Sequence, residues 1–297
     1  MAATVSRQGD LQLARELRGK KPEEHNPRLK LLLAGIAGAG KTTAAIQMPR
    51  PYVIDCENGA AHYGKLIEDK GGVVFNTTSL EDVIEEVRTL LATDHPYLTL
   101  VIDPFTTLYD AEVDRCEKDV GSEFGRHYGA ANKTSKRLYS LLTQLDMNVI
   151  VTTHAKAEYG ADMKLIGRTF EGWKKLDYLF DLFLFLDRDA TGARYATVKK
   201  TRLAGFEDQS KFAWSYEALA DRYGREKIER TPTRVELADP ATIAAFKAAY
   251  AQLGEVEVRR LKIDKVVTSL DDVADLPRSR IEKGLEVIRN HLSINAS

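Results

Sequence analysis

Cysteine is scarce in this 297-residue chain: Cys56 and Cys116 are the only two. Two cysteines exclude a disulfide framework and a cysteine zinc site, and they predict a reducing compartment. No charge of one sign dominates, with 43 Lys and Arg against 44 Asp and Glu and a net charge of -1. Overall basicity therefore gives no sign of nucleic acid, and any such surface must be a local patch. No apolar run approaches the ~20 residues that span a bilayer. Residues 1–26 are polar and charged, without the apolar core of a secretory signal. These absences predict a soluble, cytoplasmic protein with no membrane partner. His25, His62, His95, His127 and His291 show no metal-ligand spacing, and there is no internal repeat.

What is present starts at the apolar run 29–34, broken only by Lys30. It leads into Gly35, Ile36, Ala37, Gly38, Ala39, Gly40, Lys41 and Thr42, with Thr43 opening a helical pattern. Strand, glycine-rich turn and helix start in that order define a P-loop. Glycines let successive N–H groups point inward at a phosphate, and a helix start adds unpaired donors. Lys41 would reach the β- and γ-phosphates of ATP, and the Thr42 hydroxyl would ligate Mg²⁺.

The rest alternates strand and helix signals. Strands are expected at Pro51–Asp55, 73–75, 97–103, 148–153, 181–186 and 194–200. Helices are expected at 80–91, with Thr78 and Glu81 spaced as a capping box, at 105–120 and at 130–146. Residues 155–172, with Gly160 and Gly167, read as a mobile loop. Continuous apolar strands such as 97–103 are buried on both faces, as in parallel sheets. The expected fold is α/β: a mostly parallel sheet with helices on both faces, plus a small C-terminal helical appendage. The expected division is a flexible arm at 1–27 containing a short helix at 11–17, an ATPase domain at 28–230, and an appendage at 231–297. Helices at 240–253 and 278–292 build the appendage.

Asp103, a carboxylate at the tip of a buried strand, would hold Mg²⁺ opposite Thr42. The next residue is Pro104, so the glutamate many ATPases place there is missing. Hydrolysis still needs a base to orient water. Glu57, at the tip of the strand after the P-loop helix, is the candidate, with Asp55 as the alternative.

The segment Val53-Ile54-Asp55-Cys56-Glu57-Asn58-Gly59-Ala60 resembles the strand of RecA-type recombinases that carries the catalytic glutamate. Leu100-Val101-Ile102-Asp103 resembles their Walker B strand. Val149-Ile150-Val151-Thr152-Thr153-His154 resembles the strand whose last residue senses the γ-phosphate; that residue is often glutamine, and here it is His154. The strand starting at Arg194 resembles one whose basic residues reach a neighbouring subunit's nucleotide. By that match Lys200 and Arg202 are trans-acting fingers. The resemblance covers residues 28–215 and is closest to phage-encoded RecA-like ATPases associated with single-strand annealing, the Sak group. It implies ATP hydrolysis with Mg²⁺, coupled to single-stranded DNA in recombination or annealing, within a homo-oligomer. A single-strand-binding protein or annealase is an expected partner.

A DNA surface is expected in or just after the loop that follows His154. Lys156, Lys164, Arg168, Lys174 and Lys175 supply charge, with Tyr159, Phe170 and Trp173 for stacking. Lys133, Lys136 and Arg137 would add to it. Two other classes stay open: a P-loop motor on duplex nucleic acid, and a nucleotide-gated binding module with little turnover.

Overall fold

Apolar runs and helical stripes in a chain of this kind must bury both faces of a central sheet, and the computed structural model shows how they do it. It describes residues 27–159 and 161–296. The expected arm and its helix at 11–17 lie outside the described residues, apart from Pro27.

In chain order the core contains β1 (Lys30–Gly35), α1 (Lys41–Ile46), β2 (Pro51–Asp55), α2 (Gly64–Asp69), β3 (Val73–Asn76), α3 (Leu80–Ala92), β4 (Thr99–Asp103), α4 (Phe105–Val120), α5 (Arg126–Gln144) and β5 (Asn148–Thr153). There follow β6 (Ala155–Tyr159), β7 (Leu165–Phe170), α6 (Leu176–Leu179), β8 (Leu182–Arg188), β9 (Arg194–Thr201), β10 (Lys211–Ala213), α7 (Tyr216–Tyr223) and α8 (Arg225–Glu229). The C-terminal part has α9 (Pro240–Tyr250), α10 (Glu255–Arg260), α11 (Ile263–Val266) and α12 (Arg278–Ala296).

Eight strands form one sheet in the order β10-β9-β8-β1-β5-β4-β2-β3. The six from β8 to β3 are parallel, while β9 and β10 close one edge antiparallel. Alternation along each strand divides the core into two layers. Leu32, Leu100, Ile102, Val149, Val151, Phe183 and Phe185 face α3, α4 and α5. Leu31, Leu33, Val101, Ile150, Leu182 and Leu184 face the other way, toward α1, α7 and α8. A third apolar cluster, around Phe246, Ile263, Ile281 and Ile288, is drawn entirely from residues 238–292. Its tie to the core is ionic as well as apolar. The Asp275 carboxylate, 2 % exposed, meets Arg137 Nε at 2.6 Å and Arg88 Nε at 3.0 Å. Among the described residues no helix is long and apolar enough to cross a membrane.

The α/β architecture and the helical C-terminal part agree with expectation, but several local readings need correction. The loop expected at 155–172 is a two-stranded antiparallel hairpin, β6–β7. Its exposed strands alternate weakly, so no period-2 signal marked them. Helix α5 starts at Arg126 rather than at 130. The cap of α3 is Ser79, whose side chain accepts from Asp82 N, one residue later than the expected Thr78 and Glu81. Strand β10 and the short helices α7, α8, α10 and α11 carried too few residues for a periodicity to register.

Lys30, the one break in the β1 run, sits at the end of the sheet away from the P-loop. Its Nζ donates to Leu145 O at 2.8 Å and Met147 O at 2.9 Å. Burial pushes its amine down to about 7, against partial support from Asp146. The folded state therefore binds fewer protons than the unfolded state between about pH 7 and 10.5, so stability rises with pH across that window. Urea unfolding of wild type and Lys30→Met should show the wild type gaining on the variant from pH 7 to pH 9. A pH-independent difference would show that Lys30 is not depressed.

Candidate nucleotide site

Parallel pairing brings the C-terminal ends of β1, β2, β4, β5 and β8 to one edge of the sheet. Ligands of open α/β sheets bind outside such an edge. Chain order there is decided by neighbours: β5 lies between β1 and β4, so His154 emerges between the P-loop and Asp103.

The P-loop leaves β1 in a turn closed by Ala39 N donating to Ile36 O at 3.1 Å. Gly35 is required by proximity: a Cβ there would stand 2.6 Å from the Leu186 carbonyl oxygen of β8. Gly40 has φ +91°, a left-handed conformation that side chains resist, and a Cβ would collide with the Arg194 side chain. Helix α1 that follows is short, six residues. The Lys41 ammonium donates to Gly35 O at 3.0 Å and Ile36 O at 3.2 Å. Burial lowers its pKa, opposed by the nearby Asp103 and Glu57 carboxylates.

Asp103 is 8 % exposed. Burial raises its pKa, while hydroxyl donors from Thr152 and Thr42 and the charge of Lys41 act against that. Thr152 donates from β5 directly to Asp103 Oδ1. Thr42 and Asp103 thus come together as the expected pair. A hydroxyl and a buried carboxylate are hard oxygen donors, which is the chemistry Mg²⁺ requires. The donor set fits that ion.

Glu57 stands at the same edge. Its Oε1 accepts from Thr107 Oγ1 at 2.6 Å and lies 3.5 Å from His154 Nε2. The His154 backbone N–H donates to Thr106 Oγ1 at 3.0 Å. Asp55, the alternative base, is occupied instead. Its carboxylate accepts from Glu57 N at 3.1 Å, Gly59 N at 3.1 Å and Ala60 N at 2.8 Å, folding the turn that presents Glu57.

Lys200 and Arg202 are not brought to this edge. Strand β9 runs antiparallel to β8, so Arg194 pairs with Arg188 at the P-loop end and Lys200 pairs with Phe183 toward the other end. Lys200 Nζ donates to Asp177 O and Phe180 O, both at 2.6 Å, and burial lowers its pKa. Arg202 donates to Tyr178 O at 2.9 Å and pairs with Asp181 at 3.3 Å. Both cations are engaged by their own chain, away from its P-loop edge, and the Arg202 side chain stays half exposed.

Trp173 is 6 % exposed and Phe170 7 %, both within the core layer, so neither can stack on a base. Lys156, Lys164, Arg168, Lys174 and Lys175 are exposed, as is Tyr159. Lys164 pairs with Asp162 at 3.0 Å. Register places Lys156 opposite Thr169 and Arg168 opposite Ala157, so the two cations occupy opposite faces of the hairpin. Lys133 meets Asp271 at 3.3 Å and Arg137 meets Asp275 and Glu81, so both serve the junction with the C-terminal cluster. Lys136 lines a cavity at that same junction.

A family model described as AAA domain matches residues 28–204, more than half of the chain. The chain belongs to that family. No curated protein matches it. An AAA domain is a P-loop ATPase domain, and nucleotide binding and hydrolysis is the activity it suggests. Within this AAA domain, sequence reasoning missed Thr107, Thr152 and Arg194. Thr152 left a faint signal, a hydroxyl inside an apolar strand, and Arg194 the same signal as Lys200 and Arg202, a basic residue of the β9 segment; Thr107 left none, because packing alone gives it its neighbours.

The buried Asp103 carboxylate costs stability at neutral pH, since its pKa is raised above the unfolded value and the benefit of protonation is lost as pH rises. Asp103→Asn should therefore raise the melting temperature of the ligand-free protein. The same variant should lose the further rise that Mg²⁺ with ATP gives the wild type. Differential scanning calorimetry with and without Mg²⁺ and ATP checks both. A lower melting temperature for the variant would contradict the cost assigned to Asp103.

Proposed function

We propose that this protein is an ATPase that couples hydrolysis at the P-loop edge to single-stranded DNA, in recombination or strand annealing. One observation carries the coupling: Glu57 contacts His154, and His154 opens the exposed hairpin β6–β7. A residue that touches the base on one side and begins the exposed hairpin on the other can relay occupancy of either site.

Residues 35–43 bind the phosphates, with Lys41 neutralising charge on the transferring group. Thr42 and Asp103 would hold Mg²⁺, which when bound supplies charge neutralisation at the β- and γ-phosphates. Glu57 accepts a proton from water placed in line with the γ-phosphate, and the Thr107 hydroxyl orients its carboxylate. The exposed cations of the hairpin and of 174–175 neutralise nucleic acid phosphates, and Tyr159 offers a stacking face. Self-association and a phage setting belong to this reading through the RecA-type resemblance.

Turnover should depend on Lys41 and rise with single-stranded DNA. In a phosphate-release assay, Lys41→Ala sets the background. Glu57→Gln should lower kcat by about 10²–10⁴ while ATP affinity stays close to wild type. Stimulation by duplex alone would favour a motor, and turnover no higher than Lys41→Ala would favour a nucleotide-gated module.

Binding to single-stranded DNA should weaken with salt. Lys156→Ala or Arg168→Ala, whichever removes the cation on the face that meets the strand, should flatten the slope of log K against log salt by about 0.7. Fluorescence anisotropy with labelled oligonucleotide measures it. An unchanged slope in both variants would remove the hairpin from the DNA surface.

A further inference from the structure

The turn between β8 and β9 lies over the P-loop and carries two arginines with it. Arg188 reaches toward Gly38 O, 3.4 Å from its guanidinium, and Gly192 O, 3.3 Å from Nε. Arg194 packs against Gly40 so closely that any Cβ on Gly40 would overlap its Nε. The two arginines face each other in the β8–β9 register.

Neither arginine has an ion pair among the described residues. The acids beside them are occupied. Asp189 Oδ1 accepts from Thr191 N at 2.9 Å, Thr191 Oγ1 at 2.7 Å and Ala193 N at 3.0 Å. Asp187 Oδ1 accepts from Arg188 N at 2.9 Å. Arg194 Nε is buried and has no hydrogen-bond partner. A buried donor left unpaired is costly, and native structures tolerate few of them. The backbone gives Arg194 no freedom to withdraw, since its carbonyl accepts from Trp214 N at 2.9 Å and its strand is paired on both sides.

We propose that Arg194 is a phosphate ligand acting within its own chain: its guanidinium donates to the phosphate tail of the nucleoside triphosphate held by residues 35–43. This rests on the ATP-binding reading above and adds a residue to it. A planar guanidinium suits phosphate oxygens because it can present two parallel N–H donors. Gly40, whose left-handed φ already favours glycine, leaves the room that the arginine occupies. It also gives β9 a role at the opposite end from Lys200 and Arg202.

The test is equilibrium binding of ATP and ADP, with Mg²⁺, to wild type, Arg194→Ala and Arg194→Lys, each with its ligand-free melting temperature. Arg194→Ala should weaken both nucleotides by about tenfold or more, with Arg194→Lys recovering part of the loss and neither variant melting below wild type. Binding by Arg194→Ala within about twofold of wild type overturns the proposal and leaves the ATPase reading standing. Equal loss in Ala and Lys variants together with a lowered melting temperature also overturns it, since Arg194 would then be a prop for the loop. Mixing Arg194→Ala with Lys41→Ala separates the two chains. No recovery of hydrolysis supports action within one chain, and recovery overturns it in favour of action across a subunit contact. A wild type that binds no ATP overturns this proposal and the ATPase reading together.

Discussion

The parallel ladder between β1 and β5, running from Lys30 opposite Val149 to Ala34 opposite Thr153, is the constraint on which the site depends. It fixes the P-loop and His154 at the same height. The next ladder, β5 to β4, adds Asp103 beside them and lets Thr152 donate to its carboxylate. A third, β4 to β2, sets Asp55 level with Asp103 and so aims the turn that carries Glu57. A register slip of one residue in any of these would turn alternate side chains from one layer to the other. A slip between β4 and β5 would cost Asp103 its Thr152 donor, and the apolar layers on both faces would be broken at the same time.

Electrostatics at this edge follows from burial. Asp103 and Lys41 are both pushed toward their neutral forms by desolvation, and each partly restores the other's charge. The hydroxyls of Thr42 and Thr152 supply donors without adding charge, which leaves the site poised for an anionic substrate carrying its own cation. Asp55 shows the opposite use of a carboxylate. Three backbone N–H groups consume it, and it becomes a structural element of the turn.

The C-terminal cluster is attached at a different place, on the α3 and α5 side. A buried carboxylate, Asp275, meets two arginines of the core, and breaking such a pairing leaves uncompensated charge in a dry setting. Lys133 and Arg137 were legible as basic residues near the start of a helix. Their destination was not, because Asp271 and Asp275, which take them, lie 138 residues away in the chain.

Local patterns determined a great deal. Residues 35–42 announce a phosphate loop, since only glycines in that spacing let the backbone curl. Apolar runs ending in Asp55, Asp103 and His154 announce buried strands with polar tips. Glycine, hydrophobic runs and caps act over a few residues, so they can be read one segment at a time. What tertiary structure decided is which tips meet and which cations are free. The sequence treats Lys200, Arg202 and Arg194 alike, as basic residues in or just after one strand. Antiparallel pairing of β9 with β8 carries the first two toward the far end of the sheet and sets the third against Gly40. Trp173 and Tyr159 are both aromatics near a basic loop, yet packing buries one and exposes the other. Such outcomes depend on contacts between segments far apart in the chain, and no local pattern encodes them.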